Sequence, residues 1–356
     1  MKNPEIFLVR QVEEHKTPSI QYRFFNKDSM LYSFHAGFAD IQLQTKTEDT
    51  TCYFGYSVTK TFTAVAVLQL AEKKLLQLDQ TVISLLPEFP YSHEITVRQL
   101  LSHSAGIPNP IPLSWIHTAD EHASFDANRF FAAVFKKHPK TKSLPNEKFA
   151  YSNLGYVLLG QLIEKASGLR YEEYIRENII KPLGLTASEL DFVRLEGRPM
   201  AKGYHKTWSF SNALLGFLID KSKFMEKGSG KWTAFKTNYV NGPAYGGLIG
   251  TPGAFVRFIQ DLLSPDGVLI DEASKQVLFT ENRNISGKPT GMCLAWFKGQ
   301  LNGQDYFSHA GGGGGYYAEI RIYPALGLGS VVMFNRTGMS DQRFLDQVDR
   351  YFIVKH

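Results

Sequence analysis

Ser57-Val58-Thr59-Lys60 places a hydroxyl and an amine three positions apart, where a loop is expected to run into a helix. Residues i and i+3 lie on the same face of a helix. Lys60 can therefore direct its side-chain nitrogen at the Ser57 hydroxyl and act as its base, provided that burial keeps the amine uncharged. The pattern alone is weak, because a solvated helical lysine gives the same spacing.

The residues that follow, 61–76, predict a buried helix. Apolar side chains occupy nearly every face of its first three turns, and charged residues enter only at its end. A serine in the first turn of such a helix lies beside free backbone N–H groups and the positive end of the helix dipole, which favour a developing oxyanion. Burial in this apolar body would also lower the pKa of Lys60, as base catalysis by an amine requires.

Two further short motifs lie too far along the chain for local structure to relate them to Ser57. Tyr151-Ser152-Asn153 precedes an apolar run with a helical pattern, and His309-Ala310-Gly311 opens a glycine-rich stretch that leads into an alternating, strand-like segment. Each has a plain structural explanation when taken alone, because tyrosines pack, asparagines cap helices and glycines make turns. Their combination with Ser57 and Lys60 favours catalysis.

With these motifs in hand, the chain resembles the serine hydrolases related to class C β-lactamases, a family that also holds D-alanyl-D-alanine carboxypeptidases, D-amino-acid peptidases and family VIII carboxylesterases. The resemblance covers almost the whole chain. It includes two further segments, Leu100-Leu101-Ser102-His103-Ser104-Ala105-Gly106-Ile107-Pro108 and Gly246-Gly247-Leu248-Ile249-Gly250-Thr251-Pro252-Gly253-Ala254-Phe255. It implies an α/β lobe with a mainly antiparallel sheet flanked by helices, an inserted, mostly helical lobe, and an active site in the cleft between them.

The resemblance also implies the chemistry of the site. Ser57 would be the nucleophile, and Lys60 and Tyr151 would share its proton. The backbone N–H groups of Ser57 and Gly312 would form the oxyanion hole. Whether Lys60 or Tyr151 is the general base stays open at this point.

Three more residues are expected to shape the site. Asn153 would hold Lys60 or a substrate amide, and His309 would line the site and tune Tyr151. Gly311, with the glycine that follows it, would leave the strand edge bare for a substrate. No metal and no cofactor are expected.

Other copies of these motifs are interpreted as structural. Tyr239-Val240-Asn241 repeats the second motif without a following helix, and His35-Ala36-Gly37 repeats the third before the nucleophile, in an early strand. His103 and Ser104 are set aside as part of a structural turn near the cleft.

A metal site is the remaining alternative, at His117, Asp120 and His122. Their i, i+3, i+5 spacing does not place both histidines on one helix face, so we do not expect a metal there.

The third motif departs from the β-lactamase pattern, where Lys-Thr-Gly is usual. Ala310 removes a hydroxyl that helps to hold a substrate carboxylate in those enzymes, a hydrogen bond of about 1–3 kcal/mol. We therefore expect a carboxylesterase on small neutral esters. A D-amino-acid peptidase, a DD-carboxypeptidase or a weak β-lactamase is the alternative, and a non-catalytic binding protein of the same fold is a second one.

Composition agrees with one catalytic unit. The chain has 356 residues, of which 43% are hydrophobic, and a formal net charge of +5 without a basic run, so neither nucleic acid nor a membrane is an expected partner. Cys52 and Cys293 are too few for a disulfide framework. Charges within the first sixteen residues argue against a signal peptide, and a cytoplasmic location is expected. The oligomeric state stays open.

Coarse patterning divides the chain into two lobes. Residues 1–76 and 231–356 are expected to form the α/β lobe, and residues 77–230 the helical lobe. The predicted strands fall at 19–26, 30–37, 290–298, 304–309, 316–323 and 328–335, and the predicted closing helix falls at 340–354.

Overall fold

The computed structural model describes residues 3–110, 114–207, 220–228, 230–337 and 343–354. Its strands are β1 (Ser19–Asn26), β2 (Met30–Asp40), β3 (Thr45–Lys46), β4 (Tyr53–Phe54), β5 (Ile116–Thr118), β6 (Leu190–Asp191), β7 (Tyr204–Lys206), β8 (Trp232–Ala234), β9 (Asn238–Val240), β10 (Ile249–Gly250), β11 (Phe297–Leu301), β12 (Gln304–Gly313), β13 (Tyr316–Tyr323) and β14 (Leu328–Phe334). Seven of these strands form one antiparallel sheet, in the order β11-β12-β13-β14-β1-β2-β3.

The two ends of the chain build this sheet together. Strand β1 pairs with β14, so that Ile20 lies opposite Phe334 and Asn26 opposite Leu328. Because the partners are more than 300 positions apart, the sheet can form only when both ends of the chain have come together. The strands predicted at 19–26, 30–37, 304–309, 316–323 and 328–335 are all confirmed, with β12 extending four residues further.

The strand predicted at 290–298 is wrong over most of its length. Only β11, which begins at Phe297, joins the sheet. Gly291 and Ala295 both adopt positive φ, at 73° and 67°, so the chain turns where the apolar pattern predicted an extended strand. The side chains between them are nevertheless buried, which explains why their pattern looked like that of a strand.

The helices are α1 (Pro4–Glu13), α2 (Thr59–Glu72), α3 (Val97–Leu101), α4 (Ala127–Lys137), α5 (Asn153–Ser167), α6 (Tyr171–Ile175), α7 (Lys221–Phe224), α8 (Pro243–Gly246), α9 (Pro252–Leu263), α10 (Glu272–Leu278) and α11 (Leu345–Asp349). The helix predicted at 61–76 is confirmed as α2, although it begins and ends earlier. The closing helix predicted at 340–354 is only the five-residue α11 in the described part of the chain. None of the described helices is both long and apolar enough to span a bilayer.

Helices cover both faces of the large sheet. Helix α9 packs against β1 and β14 on one face, and α1 and α11 pack on the other. In the sequence, the described residues between α2 and β8 form helices α3 to α7 and only short strands. The predicted antiparallel sheet with flanking helices and an inserted helical part is therefore confirmed. The boundaries at 76/77 and 230/231 stay a prediction, and the short β5–β9 and β7–β8 ribbons cross the second of them.

Two hydrophobic cores follow from this layering. The larger one lies between the sheet and helices α2, α5 and α9, and the smaller one between the sheet and α1 and α11. In α2 every side chain from Thr59 to Leu70 is buried, because the helix packs against both α5 and α8. A helix surrounded in this way holds the start of its first turn in a fixed position.

A buried ion cluster ties α11 to the sheet. The Arg321 guanidinium is fully buried and lies 3.0 Å from Glu319, 2.7 Å from Asp346 and 3.7 Å from Asp349. Replacing Arg321 with methionine should lower the free energy of unfolding by about 3–5 kcal/mol, because two buried carboxylates lose their counter-charge. Equilibrium urea unfolding measures this loss. The matched control is Arg98→Met, since Asp79, the partner of Arg98, is 74% exposed. The expected cost there is below about 1 kcal/mol.

The deficit of Arg321→Met should also depend on pH. Burial raises the pKa of Glu319 to about 7 even with Arg321 beside it, and the pKa should rise further without it. A carboxyl whose folded-state pKa exceeds its unfolded value of about 4.3 destabilises the fold as the pH rises between the two values. The deficit should therefore be larger near pH 9 than near pH 5. A deficit independent of pH and no larger than that of Arg98→Met would contradict this account.

Candidate active site

Ser57 lies in a short 3-10 turn, Tyr56–Val58, that leads directly into α2. Ser57 is half-buried, whereas its neighbours on both sides are buried, so this residue is the one of the turn that is open to solvent. The residue before it, Tyr56, has a φ of 43°, which is unusual for a residue with a side chain. Its ring is held by Phe54 and Tyr316, at centroid distances of 5.5 and 6.3 Å. Packing of the Tyr56 ring thus fixes the sharp turn that presents Ser57.

Lys60 follows one helical turn later and is fully buried. Its Nζ lies 3.0 Å from Ser57 Oγ and donates a hydrogen bond of 2.7 Å to the Tyr245 carbonyl oxygen. No carboxylate lies within ion-pair distance of this nitrogen in the described ranges. Burial therefore holds the pKa of Lys60 well below its ordinary value.

Three tyrosine rings surround the Lys60 amine. The distances from Nζ to the ring centroids are 5.1 Å for Tyr151, 5.4 Å for Tyr156 and 5.5 Å for Tyr245. These rings exclude water, which is the physical cause of the lowered pKa. Their faces would also attract a cation, so a proton taken up by Lys60 during a reaction is stabilised without a counter-ion.

Tyr151 stands in the loop immediately before α5. Burial raises its pKa above the ordinary value for tyrosine, and a hydrogen bond with Ser57 opposes this shift. The phenol is therefore protonated near neutral pH, whereas the Lys60 amine loses its proton more easily than an ordinary lysine. Of the two groups, Lys60 is the one whose environment suits a general base.

His309 lies on β12 with its ring next to Tyr151. Its Nδ1–H donates to the Ala295 carbonyl oxygen, and its Nε2 lies 3.4 Å from Tyr151 Oη. Burial lowers the pKa of His309 to about 3, and the nearby Lys60 contributes to the shift. The ring is thus neutral, and because Nδ1 carries the proton, Nε2 is free to accept one from Tyr151.

Gly311 makes the approach of β12 to the nucleophile possible. A Cβ on this residue would lie 2.3 Å from the Gly55 carbonyl oxygen and 2.6 Å from the Ser57 backbone nitrogen. Strand β11 pairs with β12 only as far as Ser308, so the segment from His309 to Gly313 has no strand on that side within the described chain. This segment, which includes Gly312, offers backbone groups to a substrate next to Ser57.

Asn153 is the first residue of α5, and the N-cap is Ser152, whose Oγ accepts from Gly155 N–H. The side-chain amide of Asn153 donates to Asn109 Oδ1 at 3.1 Å, and no hydrogen bond joins it to Lys60. The expectation that Asn153 holds Lys60 is not met, because the Tyr245 carbonyl has that role. Its own Oδ1 is buried without a partner among the described residues, so it can accept from a substrate N–H.

The comparisons with known proteins agree with this geometry. The family model described as Beta-lactamase matches residues 7–350. The chain belongs to the β-lactamase family. Penicillin-binding protein 4* of Bacillus subtilis (strain 168) is 27% identical to it over 305 residues, which are 83% of this chain and 63% of that protein. This β-lactamase-family chain thus spans less than two thirds of that relative.

Two solved structures share the fold along their whole length. A class C β-lactamase has a TM-score of 0.74 at 17% identity, covering 100% of this chain and 96% of its own. The D-amino acid amidase from Ochrobactrum anthropi SV3, complexed with L-phenylalanine, has a TM-score of 0.76 at 18% identity, covering 99% and 98%. The resemblance to the serine hydrolases of this family is therefore confirmed.

Sequence reasoning missed Tyr156 and Tyr245 at the site of this β-lactamase-family chain, and it also missed His103. His103 was set aside as part of a turn, yet its ring lies 4.2 Å from the ring of Tyr151. Its Nδ1 accepts the Ser152 backbone N–H at 3.1 Å, and burial holds its pKa well below the ordinary value. His103 has a φ of 52°, and no pattern in the sequence predicts this backbone conformation.

The other motif copies have contacts of their own. His35 is paired with Asp49 at 2.9 Å on β2, and Asn241 Oδ1 lies 2.8 Å from His117 Nδ1. His117 and His122, which the spacing argument kept apart, meet at 2.8 Å because a strand and a 3-10 turn hold them. No group of three metal-ligating side chains comes together in the described part of the chain.

Proposed function

We propose that this chain hydrolyses small neutral esters through an acyl-enzyme on Ser57. The observation that carries the proposal is the buried Lys60 amine, 3.0 Å from Ser57 Oγ. An amine whose pKa is lowered by burial can accept the serine proton, which turns the hydroxyl into a nucleophile. Membership of a serine hydrolase family supports the same reaction class.

The first half of the reaction forms the acyl-enzyme. Lys60 accepts the hydroxyl proton while Ser57 Oγ forms a bond to the ester carbonyl carbon. The carbonyl oxygen becomes an oxyanion, held by the backbone N–H groups of Ser57 and Gly312. The bond to the alcohol then breaks, and the departing oxygen receives the proton from Lys60 by way of Tyr151.

The second half releases the acid. Water attacks the acyl carbon and gives a proton to Lys60, and the oxyanion forms again in the same place. The bond from carbon to Ser57 Oγ breaks, and the proton returns to that oxygen. The carboxylic acid leaves, and the enzyme regains its starting state.

The preference for neutral substrates follows from the charges around Ser57. Burial lowers the pKa of Lys60, His103 and His309, so the two histidines are uncharged near neutral pH and the positive charge of Lys60 is disfavoured. The side chain of Ala310 packs against the smaller core on the other face of the sheet, so a hydroxyl at this position would also point away from the cleft. A carboxylate that entered this cleft would lose its water and gain little charge-assisted hydrogen bonding from these three side chains in return.

The test compares p-nitrophenyl butyrate with nitrocefin, a β-lactam that carries a carboxylate. The value of kcat/KM should be at least about tenfold higher for the ester, since a missing charge-assisted hydrogen bond costs roughly that factor or more. Ser57→Ala supplies the background rate for both substrates. A nitrocefin value equal to or above the ester value would overturn the substrate class and would favour the alternative of a peptidase or weak β-lactamase.

A non-catalytic binding protein of the same fold is tested separately. Exposure to a fluorophosphonate, followed by intact mass measurement, should show one covalent adduct on the wild-type chain. The adduct should be missing in Ser57→Ala. A wild-type chain that gains no mass and turns over no ester would favour the binding protein.

A further inference from the structure

A second pocket lies beside the catalytic cleft, where the turn after β12 meets the β7–β8 ribbon. It encloses about 250 Å³. Its lining includes Gly314 but not Ser57, Lys60 or Tyr151, so it is distinct from the nucleophile. Since pockets for drug-sized ligands enclose about 300–1,000 Å³, this one suits a small molecule.

The lining of the Gly314 pocket has a surplus of positive charge. Lys202 is compensated by Glu226 at 2.8 Å and by Asp40 at 3.9 Å. Arg194 donates to Thr237 Oγ1 at 2.6 Å, but no carboxylate lies within ion-pair distance of it in the ranges that the structure describes. Its guanidinium can therefore bind an anion.

Lys236 is the third cation of the lining, and it is exposed. It donates to a backbone carbonyl oxygen and has no ion pair within the described chain. Three cations and two carboxylates give the lining a net charge of 3 − 2 = +1. This value matches one monoanion, whereas a doubly charged phosphate would bring an excess of negative charge close to Asp40 and Glu226.

Asn238 also lines the Gly314 pocket, and it carries a buried hydrogen-bond acceptor. Asn238 is only 4% exposed, and its Nδ2 donates to the Lys236 carbonyl oxygen at 2.9 Å, which fixes the orientation of the amide. Its Oδ1 has no partner among the described residues and lies 3.6 Å from where a Cβ would stand on Gly314. A buried carbonyl oxygen of this kind is stabilised by a ligand that donates to it.

A buried donor also lies close to Gly314. Tyr56 Oη has no partner in the described chain and lies 2.1 Å from the same Cβ position. Burial raises the pKa of Tyr56, against the effect of the nearby Arg194 charge, so the phenol keeps its proton. A free hydroxyl donor and a free carbonyl acceptor therefore both lie close to Gly314, where a side chain would collide with the donor.

We propose that the Gly314 pocket binds a small monocarboxylate that also carries an N–H or O–H group. The carboxylate lies on the planar guanidinium of Arg194, which suits two parallel hydrogen bonds, and the donor lies on Asn238 Oδ1. Both groups are needed, because the first balances the surplus charge and the second pairs with the buried acceptor. The proposal rests on the pocket residues and does not depend on the hydrolase reaction.

Isothermal titration of the full chain with three probes tests the proposal. N-acetylglycine offers both the carboxylate and the N–H, valerate offers the carboxylate alone, and N-acetylglycinamide offers the N–H without the charge. N-acetylglycine should bind at least about tenfold more tightly than either comparator. Equal affinity for N-acetylglycine and N-acetylglycinamide, or no binding of N-acetylglycine, would overturn it.

Variants locate the binding. Arg194→Gln should weaken N-acetylglycine binding at least about tenfold, and Asn238→Asp should do the same by placing a negative charge where the carbonyl stood. Arg98→Gln, a surface arginine far from the lining in sequence and paired with Asp79, should change nothing. Binding unaffected by Arg194→Gln would refute the site. The Arg194→Gln result decides the question even if Asn238→Asp fails to fold.

Labelling separates this pocket from the catalytic cleft. Protein carrying the fluorophosphonate adduct should bind N-acetylglycine as well as unlabelled protein does. If the adduct abolishes binding, the ligand lies at the nucleophile and the proposal is wrong. If no adduct forms, the proposed hydrolase fails, and the Arg194→Gln comparison still decides the pocket.

Discussion

Replacing Ser57 with alanine should reduce kcat/KM for p-nitrophenyl butyrate by at least about a thousandfold, to the level of the uncatalysed background. The acyl-enzyme cannot form without Ser57 Oγ. In the described structure, no other hydroxyl is hydrogen-bonded to Lys60 Nζ. Steady-state rates measure the loss, and intact mass after fluorophosphonate treatment should show that the adduct has gone.

The control for Ser57 is a second serine in a similar backbone setting. Ser84 also lies in a 3-10 turn and is exposed, and its hydroxyl donates to the Thr81 carbonyl oxygen. Ser84→Ala should keep the wild-type rate and the adduct. Ser57→Ala protein that hydrolyses the ester near the wild-type rate would mean that another group is the nucleophile.

Lys60→Met and Tyr151→Phe should each cost roughly a thousandfold or more in kcat/KM, and the double variant should cost about as much as either alone. Groups that move one proton together fail together, so their losses do not multiply. Methionine suits the test because it fills the fully buried space of Lys60 without an amine. Losses that multiply in the double variant would show that the two side chains act independently.

The pH dependence distinguishes the roles of the pair. If Lys60 is the base, kcat/KM falls as the pH drops through the pKa of Lys60, and this inflection lies well below the value of about 10.4 for an ordinary lysine. The residual activity of Tyr151→Phe should keep this acid limb, and that of Lys60→Met should lose it. The opposite result would make the Tyr151 phenolate the base.

The start of α2 shows how far local pattern reaches. The hydroxyl and amine of Ser57 and Lys60 are three positions apart, and the helix that follows is apolar on nearly every face of its first turns, so their proximity could be predicted. The end of the helix could not. Leu75 and Leu76 continue the apolar run, yet Lys74 has a φ of 57° and the helix ends at Glu72. Such a reversal is set by what the following residues pack against.

The environment of the site depended on partners distant in the chain. The Lys60 amine is held by the Tyr245 carbonyl, 185 positions away, and a backbone carbonyl has no sequence signature. His103 has its place because of Tyr151, and His309 keeps its proton on Nδ1 because Ala295 turns its carbonyl towards it. These contacts follow from how the sheet and the helices pack, which no short window of sequence contains.

The sequence by itself determined the family and the order of the three motifs, because these depend on residue identity and spacing, and the resemblance to that family implied the antiparallel sheet. Only the tertiary structure decided the protonation of the site. Three tyrosine rings, two from at or just before the start of α5 and one from α8, close around the Lys60 amine and exclude water from it. Charge in a protein is set by solvent access, and solvent access is a property of the assembled fold.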